Sequence, residues 1–179
     1  MLTIRSWRLA GVAARLVIDT ELTIPLTAAL VRTARETPTI VACSMGVGTT
    51  SMTAEKRRAL QNAGVSVVTL DAEDMYQRHL DLGQLMDRLG AGLELPGGER
   101  LAPMSNVMIE AGAGLMGSML DRDLVDEAVV YIAPILLADE QARAAAVGRV
   151  AASLSSGKSF ELVRSKRLGS DIELTYRRL

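Results

Sequence analysis

The sequence has 179 residues, of which 49% are apolar and 23% charged, and its formal net charge is −1. This length and composition suit one folded domain with a substantial core and exclude a disordered chain. The near-neutral charge and 3% aromatic content argue against a nucleic-acid partner. No apolar run approaches the roughly 20 residues that cross a bilayer. The first residues lack a signal-peptide pattern, so we expect a cytoplasmic protein with no membrane partner.

The sequence has one cysteine, Cys43, and one histidine, His79. An internal disulfide is therefore excluded, and a metal site of the usual His/Cys type is disfavoured. Cys43 lies in an apolar run and is predicted to be a buried strand thiol. His79 is predicted to be an exposed residue at the start of a helix.

The first part of the chain alternates between predicted strands and helices. Strands are predicted at residues 15–19, 39–43 and 65–70, and helices at 26–34 and 54–62, the second with Thr53 as its N-cap. Such alternation predicts parallel strands joined by right-handed crossovers.

The remaining segments are predicted from periodicity and turn residues. An amphipathic helix is predicted at residues 75–89, a loop at 94–103, a strand at 128–133, and a hairpin with arms 160–164 and 171–176. The fold class that follows is α/β.

The stretch at residues 106–120 carries the strongest functional pattern. An apolar run at 107–109 predicts a short buried strand that ends at Glu110. Gly112, Gly114 and Gly117 follow, and then a helical pattern. Glycines allow a ligand to approach the backbone closely, and unpaired amides at a helix N-terminus favour an anion. This order predicts a phosphate or pyrophosphate site.

A simpler interpretation is that the small residues only let the helix pack closely. The spacing Gly112-x-Gly114-x-x-Gly117 matches G-x-G-x-x-G, but that match alone is weak. An ordinary Rossmann site also needs an acidic residue after the next strand. Here that strand closes at 131–134 without a carboxylate. The Rossmann interpretation is therefore disfavoured, while a nucleotide-phosphate site remains.

From residue 2 to the C-terminus the chain resembles the reductase domain of the bifunctional riboflavin-biosynthesis deaminase-reductase family. The pieces that carry the resemblance are residues 2–5, 15–19, 107–112, 124–127, 131–137 and 168–171. The resemblance implies a dihydrofolate-reductase-like three-layer sandwich with a mostly parallel central sheet and a C-terminal antiparallel hairpin. It also implies NADPH-dependent reduction of 5-amino-6-(5-phosphoribosylamino)uracil to the ribitylamino compound.

The resemblance implies roles for particular residues. Glu110, Arg5 and Leu2 match substrate contacts, and the arginine fork suits a ribose phosphate. Thr20 falls near the cofactor. The NADPH-contacting turn and helix start correspond to Gly112, Ala113, Gly114, Leu115, Met116, Gly117 and Ser118. Hydride transfer needs no nucleophile, so we assign no catalytic side chain, and the single histidine and single cysteine lead us to assign no metal.

Two features depart from the family pattern. Ala111 stands where the family usually has a glycine, and the family's domain begins before Leu2 with a strand, a helix and an Asp-Asp-Pro element. We therefore predict one N-terminally incomplete domain over residues 1–179 with an open sheet edge. The edge and the resemblance both predict a homodimer. The competing hypotheses are a catalytically inactive remnant and an unrelated α/β nucleotide-binding module.

Overall fold

The computed structural model describes residues 13–46, 51–74, 79–94, 98, 100–148 and 153–179. The chain divides into two compact units, Met1–Asn106 and Val107–Leu179. The prediction of one domain over the whole chain stays a prediction. Within the described ranges, no helix has the length and apolarity that a membrane span requires.

The first unit is built on a parallel sheet. Its strands, in sheet order, are β1 (Arg15–Ile18), β2 (Thr39–Ser44) and β3 (Val65–Leu70). Val17 is the register partner of Val41, and Val41 that of Val67. All three strands were predicted, and their parallel order follows from the helical connections between them.

Two helices connect these strands, α1 (Ala29–Arg32) and α2 (Ser51–Asn62). Helix α1 is shorter than predicted because the backbone passes into turns after Arg32. The prediction of Thr53 as an N-cap is wrong, because α2 already begins at Ser51. The helix was placed three residues too late since the apolar periodicity starts inside it.

One face of the parallel sheet forms a compact apolar core. Its buried members are Leu22, Val31, Ala34, Val41, Cys43, Leu60 and Val65. Cys43 has no exposed surface, and burial raises the pKa of its thiol despite the nearby Arg57 guanidinium. The prediction of a buried strand thiol is therefore confirmed.

Smaller elements complete the first unit. They are β4 (Ala72–Asp74), β5 (His79–Leu80), α3 (Leu82–Ala91), β6 (Leu93–Glu94) and β7 (Arg100–Leu101), with β4 paired to β5 and β6 to β7. Helix α3 buries Leu82, Leu85 and Leu89 as its periodicity predicted. It begins later than predicted because the Asp81 carboxylate caps it, accepting the amide of Gln84 at 2.8 Å. His79 is exposed, in a strand and not in the helix.

The second unit is a helix followed by an antiparallel sheet. Its elements are α4 (Ala113–Asp121), β8 (Glu127–Ile132), β9 (Phe160–Leu168) and β10 (Asp171–Arg178), and the sheet order is β8-β10-β9. The predicted hairpin is confirmed. Gly169 at its turn has φ +65°, a value that favours glycine.

The predicted strand at residues 107–109 is wrong. The segment has no regular secondary structure, and Val107 and Met108 are 38% and 77% exposed. An apolar run becomes a strand only when a neighbouring strand takes its backbone hydrogen bonds, and no described strand pairs with this one.

Arg15 is a buried cation that joins three parts of the first unit. It is 6% exposed. Its Nε and Nη2 donate to the Thr39 hydroxyl at 3.1 and 2.7 Å, and its Nη1 to the Thr33 hydroxyl at 2.8 Å. Nη2 also donates to the carbonyls of Thr33 and Thr37, both at 3.0 Å. The guanidinium thus meets the carbonyls that follow α1, where the helix dipole favours a cation.

We expect Arg15→Leu to lower the free energy of unfolding by about 2–4 kcal/mol, because it leaves several buried oxygens without a donor. Urea unfolding followed by circular dichroism measures the loss as a lower midpoint at unchanged slope. The matched control is Arg32→Leu, since Arg32 is exposed in the same helix and should change stability by no more than about 0.5 kcal/mol. Equal midpoints for the two variants would refute the role of Arg15.

Candidate functional site

Glu110 and the start of α4 form an open, exposed segment. Glu110, Ala111 and Gly112 are exposed and lie outside regular secondary structure. Gly112 is the N-cap of α4, with extended backbone (φ −68°, ψ 163°) and no capping side chain. The first bond of the helix runs from the Met116 amide to the Gly112 carbonyl at 3.2 Å. The amides of Ala113, Gly114 and Leu115 therefore have no acceptor within the helix.

The space beside this turn is open. A Cβ built on Gly112 or on Gly114 would meet no atom within 4 Å. An anion can therefore approach these amides closely, and the positive end of the helix dipole is aimed at it. Glu110 lies two residues before the N-cap, so its carboxylate can act on a ligand that the amides hold.

Gly117 has a different role from the two glycines before it. It is buried, and a Cβ there would lie 1.8 Å from the carbonyl oxygen of Val147. The Val147 amide donates to the Ala113 carbonyl at 3.0 Å, so this later segment crosses α4 at its first turns. The simpler interpretation, that small residues allow close packing, is correct for Gly117.

The other residues assigned to the cofactor lie along the same helix. Ala113, Leu115, Met116 and Ser118 are half-buried, and Met119 is fully buried. In the segment from Glu110 to Ser118 the N-terminus is thus exposed and accessible to a ligand, while the buried side fixes the helix.

Thr20 belongs to the first unit. It follows β1 and is half-buried, and its carbonyl accepts the Ser44 amide at 3.0 Å. Asp19 beside it accepts the Thr23 hydroxyl at 3.0 Å and the Ile24 amide at 2.7 Å. These bonds fix the turn at the carboxyl ends of two parallel strands, an edge that carries ligand sites in open α/β sheets. Leu2 and Arg5 lie outside the described residues.

Two further polar clusters were not predicted from the sequence. Lys158 lines a cavity of about 270 Å³ near Gly117, but its amine is paired with Asp123 at 2.7 Å, so it is not an open phosphate ligand. One face of the antiparallel sheet carries alternating charges, with Arg177 bonded to Glu127 at 3.0 Å. On this face the Glu173 carboxylate beside Tyr131 raises the pKa of that phenol. The alternation of polar and apolar residues along these strands is the sequence signal from which this charged face could have been predicted.

We expect Gly117→Ala to lower the free energy of unfolding by about 1–3 kcal/mol, because the added methyl group collides with the Val147 backbone. Gly114→Ala is the matched control in the same helix. It adds a methyl group into open space and should stabilise the protein by about 0.5–1 kcal/mol. Thermal unfolding of the two variants measures both effects, and a Gly117→Ala protein as stable as the wild type would contradict the packing role.

Comparison with known proteins agrees with the fold. The family model described as "RibD C-terminal domain" matches residues 1–174. The riboflavin biosynthesis protein RibD of Actinobacillus pleuropneumoniae is 28% identical over 162 residues, which are 90% of this chain and 38% of that protein. The 2,5-diamino-6-ribosylamino-4(3H)-pyrimidinone 5′-phosphate reductase of Methanothermobacter thermautotrophicus is 35% identical over 100 residues, 55% of this chain and 41% of that protein.

Two solved structures share the architecture. Acinetobacter baumannii RibD has a TM-score of 0.61 at 22% identity, covering 92% of this chain and 37% of its own. A pyrimidine reductase-like protein from Corynebacterium diphtheriae has a TM-score of 0.64 at 15% identity, covering 92% of this chain and 60% of its own. At these identities the likeness shows the fold, which is the predicted dihydrofolate-reductase-like α/β class. The chain spans less than two thirds of the length of each of these four proteins.

Proposed function

Because the chain belongs to the RibD C-terminal domain family, we propose that it is an NADPH-dependent reductase of riboflavin biosynthesis. Its substrate is 5-amino-6-(5-phosphoribosylamino)uracil, and its product is the ribitylamino compound. One relative is named as a pyrimidinone phosphate reductase, which supports the same reaction class. The observation that carries the proposal is the open N-terminus of α4 beside Glu110.

The amides at the start of α4 bind the diphosphate of NADPH. Gly112 and Gly114 leave the approach open, and the helix dipole stabilises the negative charge. Gly117 contributes through packing, since it lets the segment around Val147 lie against the helix and fix its position. The resemblance also assigns Thr20 to the cofactor, and within the first unit its turn is fixed by Asp19 and Ser44.

Glu110 orients the pyrimidine substrate. Its carboxylate is exposed and can accept hydrogen bonds from the amino groups of the ring. The bound cofactor supplies the hydride, and the protein orients the two reactants and excludes other geometries. The resemblance also assigns substrate contacts to Arg5 and Leu2, and an arginine suits the phosphate of this substrate. The active protein is a cytoplasmic homodimer.

NADPH titration followed by fluorescence separates this proposal from its competitors. Binding of NADPH, and its oxidation when the pyrimidine substrate is added, is the expected result. Absence of both favours an inactive remnant of the domain. Binding of several nucleotides without preference for NADPH favours an unrelated nucleotide-binding module.

We expect Ala113→Asp to raise the Kd for NADPH about tenfold, because a carboxylate beside the free amides repels a diphosphate. An acidic residue in the first turn suits the helix dipole, so the fold should be retained. Ser165→Asp on exposed β9 adds the same charge and serves as the control. Equal affinity for NADPH in the two variants would remove the helix N-terminus from the cofactor site.

We expect Glu110→Gln to reduce kcat/KM for the pyrimidine about 10- to 100-fold, because the neutral amide is a weaker acceptor in the transition state. The Kd for NADPH should stay unchanged, since the cofactor contacts the helix amides. Steady-state kinetics with fluorescence titration measures both, and Glu161→Gln on β9 is the exposed control. An unchanged kcat/KM would exclude Glu110 from the substrate site.

A further inference from the structure

Residues 146–148, here called the strap, cross the first turns of α4 and belong to the same compact unit as that helix. The Val147 amide donates to the Ala113 carbonyl at 3.0 Å. The Val147 carbonyl lies over Gly117, where any Cβ would overlap its oxygen. Because the Val147 side chain is 49% exposed, the strap meets the helix mainly through its backbone.

The strap adds a second donor to a carbonyl that the helix already uses. In a helix that begins at Ala113, the Ala113 carbonyl accepts the Gly117 amide. The Val147 amide approaches the same oxygen from outside the helix. A carbonyl oxygen has two lone pairs, so it can accept both bonds. The first turn of α4 is thus held by a segment that comes after β8 in the chain.

The bond from the strap also acts on the amide of Gly114. The Ala113 carbonyl and the Gly114 N–H belong to one planar peptide group. A donor at the carbonyl polarises this group, and linked hydrogen bonds strengthen one another by roughly 10–30%. Since the Gly114 amide has no acceptor within the helix, its added polarity is available to an anion at the N-terminus.

Gly148 gives the strap a backbone conformation that other residues rarely adopt. Its φ is +103°, in the region that favours glycine. Among the described residues, a Cβ built on Gly148 would meet no atom within 4 Å. A side chain at this position would therefore strain the backbone of the strap without colliding with a neighbour, which makes Gly148 suitable for a test.

We propose that the strap is a positioning element of the cofactor site. It holds the first turn of α4 in place and strengthens the Gly114 amide as a donor to the diphosphate of NADPH. This inference rests on the proposed function and adds a part of the chain that acts on the cofactor through the helix. Such coupling is reciprocal, because a bond that raises the affinity for NADPH is stabilised to the same extent by bound NADPH.

Gly148→Ala tests the strap by straining its backbone. NADPH titration followed by fluorescence should give a Kd about fivefold above that of the wild type. The kcat at saturating NADPH should change by less than about twofold, since the strap acts on cofactor binding and not on the pyrimidine. A Kd equal to that of the wild type would overturn the proposal.

The matched control is Gly169→Ala, in the turn between β9 and β10. Gly169 also has a positive φ, +65°, and a Cβ there would meet no described atom within 4 Å. The control therefore strains the backbone of the same unit at a place outside the strap. It should keep the wild-type Kd, and an equal rise in Kd for both variants would overturn a specific role of the strap.

Hydrogen exchange measures the same coupling in the wild-type chain and does not depend on how well a variant folds. Saturating NADPH should slow the exchange of the Val147 amide by a similar factor, about fivefold. The comparator is the Ala142 amide, which donates to the Asp139 carbonyl at 3.1 Å and should exchange at an unchanged rate.

The outcomes separate the strap from the proposed function. If NADPH binds and leaves the exchange of the Val147 amide unchanged, or slows Val147 and Ala142 alike, the role of the strap is overturned and the cofactor assignment stands. A wild-type chain that does not bind NADPH overturns the proposed cofactor, and the role of the strap falls with it.

Discussion

The parallel sheet of the first unit depends on a buried arginine whose described partners are all neutral oxygens. Arg15 is 6% exposed and donates to hydroxyls and carbonyls of residues 30–39. Burying a guanidinium costs free energy unless its donors are satisfied, and this geometry satisfies them. Arg15 is the register partner of Thr39. The hydrogen bonds that offset the free energy of burying the guanidinium therefore also fix the register of β1 against β2. A shift by one residue would turn the arginine to the other face of the sheet.

That register has a consequence at the opposite end of the strands. With β1 and β2 aligned, the Asp19 amide donates to the Ala42 carbonyl and the Ser44 amide donates to the Thr20 carbonyl. The turn that carries Thr20 is therefore held on both sides, by these bonds and by the Asp19 carboxylate. The backbone of Thr20, which we propose to contact the cofactor, is thus fixed by an interaction at the far end of the strand.

The sequence predicted those elements whose signals are local. Strand β3 was predicted with its observed bounds because apolar β-branched residues and a glycine mark them. Helix starts were less accurate, since several polar residues compete to cap a helix and only the folded backbone selects Asp81 for α3, while α2 already includes Ser51. The strand at residues 107–109 could not be judged locally, because a strand exists only with a partner whose position depends on the rest of the fold.

At the candidate site, too, the local sequence did not show which residues contact distant segments of the chain. Gly114 and Gly117 are three residues apart in one helix, and the sequence gives no reason to treat them differently. What separates them is Val147, thirty residues further along the chain, whose backbone lies against Gly117 and leaves Gly114 in open space. A motif can therefore predict that small residues are needed without telling which face meets a ligand and which meets the protein. In this helix the two roles belong to different parts. The N-terminal end with free amides is open to an anion, and the buried side holds the helix rigid and keeps those amides in position.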